Sequence, residues 1–260
     1  MKRHSIFWGV ALIVAGLLLW LQVEGIIQNV FRFFWPVTLI LVGGWIILNV
    51  FWKPEMTDGE TFTVPLGAAK SAGYRFSHGA GQINISGGAA PGVALFGSSA
   101  VGMNYHSNMN GDRLDVKVDA GPSIFPFIGP AEGIWRFQLT REIPIDLTVE
   151  AGASQIDVDL KDLNVPHMEL KTGASSTNVT MPAHGASILD VEAGVASINV
   201  VIPDAIPARI RAEQGVSSIN VDTNRFPRSA SGFYQSLNFD TSADRVEVNI
   251  KAGVGSVTVK

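Results

Sequence analysis

A ten-residue pattern recurs along this chain at equal intervals. It is EAGASQIDVD from Glu150, KTGASSTNVT from Lys171, EAGVASINVV from Glu192 and EQGVSSINVD from Glu213. Two further segments, HGAGQINIS and KAGVGSVTV, carry the same pattern outside that spacing. A fixed-period repeat restricts the fold strongly, because each unit is one structural module that packs on its neighbours. The six segments share one glycine and align on Gly79, Gly152, Gly173, Gly194, Gly215 and Gly253.

Apolar and polar residues alternate on both sides of each aligned glycine. The positions five and three before the glycine, and four and six after it, are almost all apolar, whereas the positions two before and five after are polar. In the segment around Gly152 the apolar positions are Leu147, Val149, Ile156 and Val158. A period of two is typical of a strand with one buried face. Each repeat is therefore predicted to be a strand, a glycine corner and a second strand, and the glycine permits either positive φ or close backbone approach.

Such a unit cannot bury its apolar face alone, so neighbouring units must stack into a continuous core. The predicted fold is an all-β, solenoid-like stack of strand–glycine corner–strand units, roughly 29 Å long for six units at a strand spacing of about 4.8 Å. The position five after the glycine is mostly asparagine or aspartate. These side chains either form an amide ladder along the stack or are simply solvated near the turns.

The stretch from about residue 89 to residue 141 breaks the period and is predicted to be an irregular insertion. Within it, MNGDRLDVKV from Met109 predicts a hairpin with Asn110–Gly111 as its turn. The apolar segment SIFPFIGPAEGIW follows from Ser123, and it is either an inward cap on the stack or an exposed patch for a partner or the membrane surface. In the second case the contact residues would be Phe125, Phe127, Ile128 and Trp135.

The last repeat closes the chain with KAGVGSVTVK. The end of the stack after this repeat is predicted to be an unpaired strand edge, protected only by the charge of Lys260. Exposed strand edges invite pairing, so self-association through the ends of the stack is one expectation for this chain.

Two uncharged apolar runs, Ile6–Val23 and Pro36–Trp52, precede the repeats. At about 1.5 Å per residue each would span roughly 25–27 Å, close to the ~30 Å core of a bilayer. We predict a two-helix transmembrane hairpin over residues 1–53, a linker over 54–62 and the β-repeat domain over 63–260. A signal peptide is the alternative for the first run, but no A-x-A-like cleavage site follows it.

Few charges flank these runs. Lys2 and Arg3 precede the first, Lys53 follows the second, and Glu24 and Arg32 lie between them. The positive-inside rule then favours a cytoplasmic position for both chain ends. The predicted localisation is the cell membrane, with two spans and a cytoplasmic β domain.

The reactive residues show no pattern typical of catalysis. The formal net charge of −4 argues against nucleic-acid binding through a basic surface, and the absence of cysteine rules out thiolate sites. No phosphate-loop, nucleophile-elbow or EF-hand pattern occurs. The histidines lack the spacing of a zinc site and are predicted to be surface residues; they are His4, His78, His106, His167 and His184. The chain is predicted not to be an enzyme and to need no metal or cofactor.

Two parts of the chain resemble known families. The segments FWGVALIVAGLLLWLQVEGI and FWPVTLILVGGWIIL resemble the LiaI-LiaF-like transmembrane region. The segments IPIDLTVEAGASQIDVDLKDL and MELKTGASSTNVTMP resemble the LiaF-type C-terminal, or toast-rack, domain. The resemblance implies a membrane protein tied to envelope-stress signalling that restrains a membrane histidine kinase. It transfers no functional residue to a position in this chain.

Two functions follow as expectations. The first is a membrane-anchored, non-catalytic β-repeat protein that regulates or senses envelope stress by contact with a membrane histidine kinase or another membrane protein. The hairpin would raise its effective concentration against such partners in the lipid bilayer. The second is a membrane-tethered structural scaffold or adhesin-like module that self-associates as a homo-oligomer.

Overall fold

The computed structural model describes residues 60–99, 103–120, 133–212 and 218–260. The chain divides into two units, Met1–Thr57 and Asp58–Lys260, and all the described residues belong to the second. None of them forms a helix long and apolar enough to cross a membrane. The transmembrane spans predicted at 6–23 and 36–52 lie outside the described residues.

The described residues form β-strands joined by turns and loops. The strands are β1 Glu60–Pro65, β2 Ser71–Gly87, β3 Val93–Ser99, β4 Met103–Asn110, β5 Arg113–Ala120, β6 Gly133–Leu139, β7 Ile145–Asp159, β8 His167–Thr180, β9 Ala186–Val201, β10 Ala208–Ala212, β11 Ser218–Val221, β12 Tyr234–Gln235 and β13 Arg245–Val259. They belong to one sheet, in which ten strands follow the order β1-β3-β6-β2-β7-β8-β9-β13-β10-β12. The other three pair beside this path, β11 with β13, β5 with β2, and β4 with β5. Its centre is five long parallel strands, β2, β7, β8, β9 and β13.

The strands β7, β8 and β9 must bend, because the loop after each is too short to return from the end of a straight strand to the start of the next parallel one. Strand β8 has 14 residues and would be about 46 Å long if straight. Only residues 181–185 connect it to β9, and they reach roughly 20 Å at most. Since β9 begins beside the start of β8, the two ends of β8 must lie close together. The repeat glycine in the middle of each strand supplies the bend.

Side-chain burial confirms the bend and the predicted alternation. In β7 the buried side chains fall on odd numbers before Gly152 and on even numbers after it, so the parity changes at the glycine and both arms face one core. These residues are Ile145, Leu147, Val149, Ala151, Ser154, Ile156 and Val158. The apolar positions of the six repeats are buried or partly buried except Ile219, which has 37% of its surface exposed. Loop residues such as Leu160, Leu163 and Met181 are fully buried and close the remaining side.

The order of the repeats in space differs from their order in the chain. The last strand, β13, pairs with β9 along one edge and with β10 and β11 along the other. The Gly253 repeat is thus inserted between the Gly194 and Gly215 repeats. The prediction of an unpaired edge at KAGVGSVTVK is therefore wrong, because both edges of β13 are hydrogen-bonded.

At the other end of the stack, β2 is covered by two separate groups of strands. Its first arm pairs with β5, and its second arm pairs with β6. The described residues of the stretch 89–141, which was predicted as an irregular insertion, form the strands β3 to β6. The predicted hairpin is present as β4 and β5, but its loop is Gly111–Asp112, one residue later than predicted. Gly111 has a φ of 61° and is the first loop residue, where a type II′ turn takes glycine.

At the start of the domain, β1 begins at Glu60, inside the stretch predicted as linker.

Candidate interaction surface

The repeat glycines form a row across the five long strands, and close backbone approach explains them. None of the described members has a positive φ. A Cβ on Gly173 would lie 2.8 Å from the carbonyl oxygen of Gly152, and one on Gly194 would lie 2.7 Å from that of Gly173. Gly152 faces the carbonyl of Gly79 in the same way, and Gly253 faces that of Gly194. Gly215 lies outside the described residues.

Backbone pairing is interrupted at this row. Between β7 and β8, Ala151 pairs with Thr172 and Ala153 pairs with Ala174, whereas the glycines between them are unpaired. The same gap recurs at each neighbouring pair of long strands. Each glycine thus interrupts the hydrogen-bonded ladder at the same register position. This interruption lets all five strands bend at equivalent residues.

An open groove of about 950 Å³ runs along the glycine row. Its side-chain lining comes mainly from the position two before each glycine. In the spatial order of the strands these residues are Ser77, Glu150, Lys171, Glu192 and Lys251. The four charged members alternate in sign from β7 to β13, and Asp119 of β5 adds a further negative charge beside Ser77.

Lys171 lies at the centre of this array. Its Nζ atom is 2.7 Å from Glu169 Oε1 on the same strand. The hydrogen bond with Glu169 raises the pKa of Lys171, and the negative charges of Glu169, Glu192 and Glu150 raise it further. The ammonium therefore stays charged while it remains accessible to a partner.

His78 lies at the β2 end of the groove and, contrary to the prediction for the histidines, is buried, with 6% of its surface exposed. Its Nδ1 atom is 3.1 Å from Ser154 Oγ, and its ring meets the Trp135 ring edge-on at a centroid distance of 4.5 Å. Burial lowers the pKa of His78, and a hydrogen bond to the backbone of Gly133 offsets part of that shift. Ser154 is buried as well, so the hydrogen-bonded pair belongs to the packing at this end of the groove.

Trp135, one of the four predicted contact residues, is buried within the domain. It belongs to β6, is 2% exposed, and packs edge-on against Phe137 at 5.8 Å between ring centroids. The sequence GIWRFQL itself indicates a half-buried strand, because Trp135, Phe137 and Leu139 alternate with polar residues. The other predicted contact residues, Phe125, Phe127 and Ile128, lie outside the described residues.

On the second arm of the strands, the asparagine column forms the hydrogen-bonded ladder that was one of two interpretations. Asn178 Nδ2 donates to Asp157 Oδ1 at 2.7 Å, and Asn199 Nδ2 donates to Asn178 Oδ1 at 3.4 Å. The side chains of three adjacent strands are thus joined on the outer surface.

The first arm carries a second polar cluster around Asp190. His167 Nε2 and Asn249 Nδ2 each lie 2.9 Å from a carboxylate oxygen of Asp190. Partial burial raises the pKa of Asp190, but the hydrogen bonds from His167 and Asn249 outweigh it and hold that pKa below its usual value. The outer surface is therefore a set of ordered polar rows on both sides of the groove, an arrangement suited to binding an extended partner.

Within the described residues, no three His, Asp or Glu side chains are grouped as metal ligands. The charges in the groove lie on neighbouring strands, and each charge has a cross-strand neighbour of opposite sign. This geometry favours recognition by many weak polar contacts.

Comparison with known proteins agrees with this architecture. A crystal structure of a Clostridium sporogenes protein, provisionally described as a cell adhesion protein, superposes with a TM-score of 0.71 at 21% sequence identity. The superposition covers 80% of this chain and 99% of that one, and it shows a shared fold. No curated protein has a matching sequence. The model of the N-terminal domain of toast_rack, DUF2154, matches residues 53–202. More than half of the chain is covered by that match, and the protein therefore belongs to the toast_rack N-terminal domain family.

Proposed function

We propose that this chain is a membrane-anchored, non-catalytic β-repeat protein that senses or regulates envelope stress by contact with another membrane protein. The observation that carries the proposal is the groove along the glycine row, with alternating charges at Glu150, Lys171, Glu192 and Lys251. Membership of the toast_rack family and the resemblance to a described adhesion protein fit a non-catalytic role.

The anchor in this proposal is the predicted hairpin of Ile6–Val23 and Pro36–Trp52, which would keep the β domain at the bilayer surface. A tethered domain meets membrane partners at a high effective concentration, so weak polar contacts in the groove can suffice. The partner that fits is the cytoplasmic part of a membrane histidine kinase, as the resemblance to LiaF-type proteins implies.

Site-specific photo-crosslinking in living cells tests the contact. A photoreactive amino acid at Lys171, in the groove, should crosslink to a membrane protein, and the product should change when cell-wall stress is applied. The control position is Ser231, which is exposed and is not among the residues that line the groove. Equal crosslinking at both positions, or none at Lys171, would contradict a partner in the groove.

Topology is tested separately with a reporter fused after Lys260 that is active on one side of the membrane only. Cytoplasmic activity supports the regulatory role. Activity outside the cell would instead support the second candidate, a membrane-tethered scaffold or adhesin-like module, which the described role of the Clostridium sporogenes protein favours.

A further inference from the structure

Strand β4, Met103–Asn110, pairs with β5 only among the described residues, which leaves its other edge open to them. Its sequence, MNYHSNMN, contains no lysine, arginine, aspartate or glutamate. Edge strands are usually protected against pairing by charges, prolines, bulges or short length. Other edge strands of this sheet have such protection: β1 ends at Pro65 with a register shift, and β12 has two residues.

The layer of side chains that β4 adds to the core is also incomplete. In the pairing with β5, Tyr105 lies opposite Val118 and Met109 lies opposite Leu114. Val118 and Leu114 are buried, whereas Tyr105 is 44% exposed and Met109 is 43% exposed. One side of Tyr105 is covered by the ring of Phe62, stacked at 4.3 Å between centroids. The core therefore continues to the edge of the sheet and stops there with apolar surface in contact with water.

The sequence of β4 is symmetric in residue type about Ser107. Moving outward in both directions, a polar pair (His106 and Asn108) is followed by an apolar pair (Tyr105 and Met109) and then by two amides, Asn104 and Asn110. An antiparallel strand pair places directly opposite residues on the same face. A strand with this symmetry can therefore match a second copy of itself residue by residue.

We propose that two copies of this chain associate through antiparallel pairing of their β4 strands, with Ser107 on the two-fold axis. Tyr105 of each copy then lies opposite Met109 of the other, which forms two aromatic–thioether contacts on the core face. His106 lies opposite Asn108, and Asn104 lies opposite Asn110, so no like charges meet. A register centred on His106 is less favourable, because it sets the two imidazoles against each other. This proposal names a second copy as a partner and stands apart from the proposed regulatory function.

The absence of cysteine from the chain allows a direct test by disulfide crosslinking of the full-length protein in membranes. In S107C the two Cα atoms across the axis would lie about 4.5–5.5 Å apart, within the range of a disulfide. The matched control is N104C on the same exposed strand, whose two copies would lie about 20 Å apart along the strand direction. We expect S107C to form a covalent dimer under mild oxidation, N104C to remain monomeric, and a mixture of N104C and N110C chains to crosslink.

The mass of the detergent-solubilised full-length protein gives a second measurement. The unmodified chain should have twice the mass of one copy, and S107D, which places two carboxylates on the axis, should have the mass of one. Circular dichroism establishes that S107D is folded, as expected from the exposure of Ser107. A monomeric unmodified chain, a dimeric S107D, or equal crosslinking of S107C and N104C would each overturn the proposal.

Discussion

At the residue scale, the repeat glycines are required by the distance between neighbouring backbones. The bend brings Gly152, Gly173, Gly194 and Gly253 directly against a carbonyl oxygen of the neighbouring repeat, and a backbone carbonyl cannot move aside as a flexible side chain can. This explains a recurrent glycine at positions whose φ values other residues adopt without strain.

Replacement of Gly173 by alanine should lower the free energy of unfolding by about 1–3 kcal/mol, as overpacked core substitutions do. The new Cβ would lie 2.8 Å from the carbonyl oxygen of Gly152. Gly79 begins the row, and no atom lies within 4 Å of the position that a Cβ on it would take, so Gly79→Ala should be neutral or stabilising by up to about 1 kcal/mol. Urea unfolding of both variants measures the difference. Equal effects would show that the row is not limited by backbone approach.

His78 makes stability depend on pH. Its folded-state pKa is below the ordinary value because of burial, so the unfolded chain binds more protons at mildly acidic pH. Stability should therefore fall as pH is lowered from about 6.5 towards the folded-state pKa. His78→Asn, whose amide can replace the ring nitrogen near Ser154, should remove this part of the dependence. His184→Asn changes an exposed loop histidine and should retain it. Denaturant titrations between pH 5 and 8 would show whether the two variants differ.

At the element scale, alternation in the sequence predicts the strand arms and the core well, because a half-buried strand needs one apolar residue in two. The order of the strands could not be predicted in the same way. The repeats around Gly194, Gly215 and Gly253 present equivalent edges, and any of them can pair with another. The interval from Gly215 to Gly253 is nearly twice the interval from Gly194 to Gly215, and this extra length is the signal of the exchanged order. The alternation of charges along the groove depends on the order of the strands, so it could not be predicted from the sequence either.

The asparagine ladder makes a prediction about neighbouring strands. Asn178→Asp would replace the donor to Asp157 by a second carboxylate and should destabilise the domain by about 1 kcal/mol at neutral pH. Asn199→Asp makes the same chemical change one strand further along, between Asn178 and Thr258, where no carboxylate is adjacent in the row. It should cost clearly less. Thermal unfolding in low salt is the measurement, and equal losses for the two variants would mean that the ladder contributes nothing specific.

At the scale of the whole domain, the last strand of the chain, β13, is inserted inside the sheet between β9 and β10. After β11 the connector 222–244 carries the chain back to the start of β13, and its Phe226 is fully buried. The guanidinium of Arg209, on β10, lies 4.3 Å from the ring centroid of Phe239 and pairs with Asp240 at 2.7 Å. The connector is thus fixed to the repeat that β13 must join, and the last segment of the chain completes the fold.

Removal of β13 by ending the chain at Asp244 should prevent folding of the whole β domain. In a stack built in chain order, loss of the last repeat would leave the earlier repeats folded, because each contacts only its neighbours. Here the loss would expose the inner edge of β9 and leave β10 and β11 without their parallel partner. We expect the truncated chain to lose its cooperative unfolding transition, and a co-expressed segment 245–260 to restore it. A truncated chain that still unfolds cooperatively, at nearly the same urea concentration as the intact one, would show that β13 is an accessory strand.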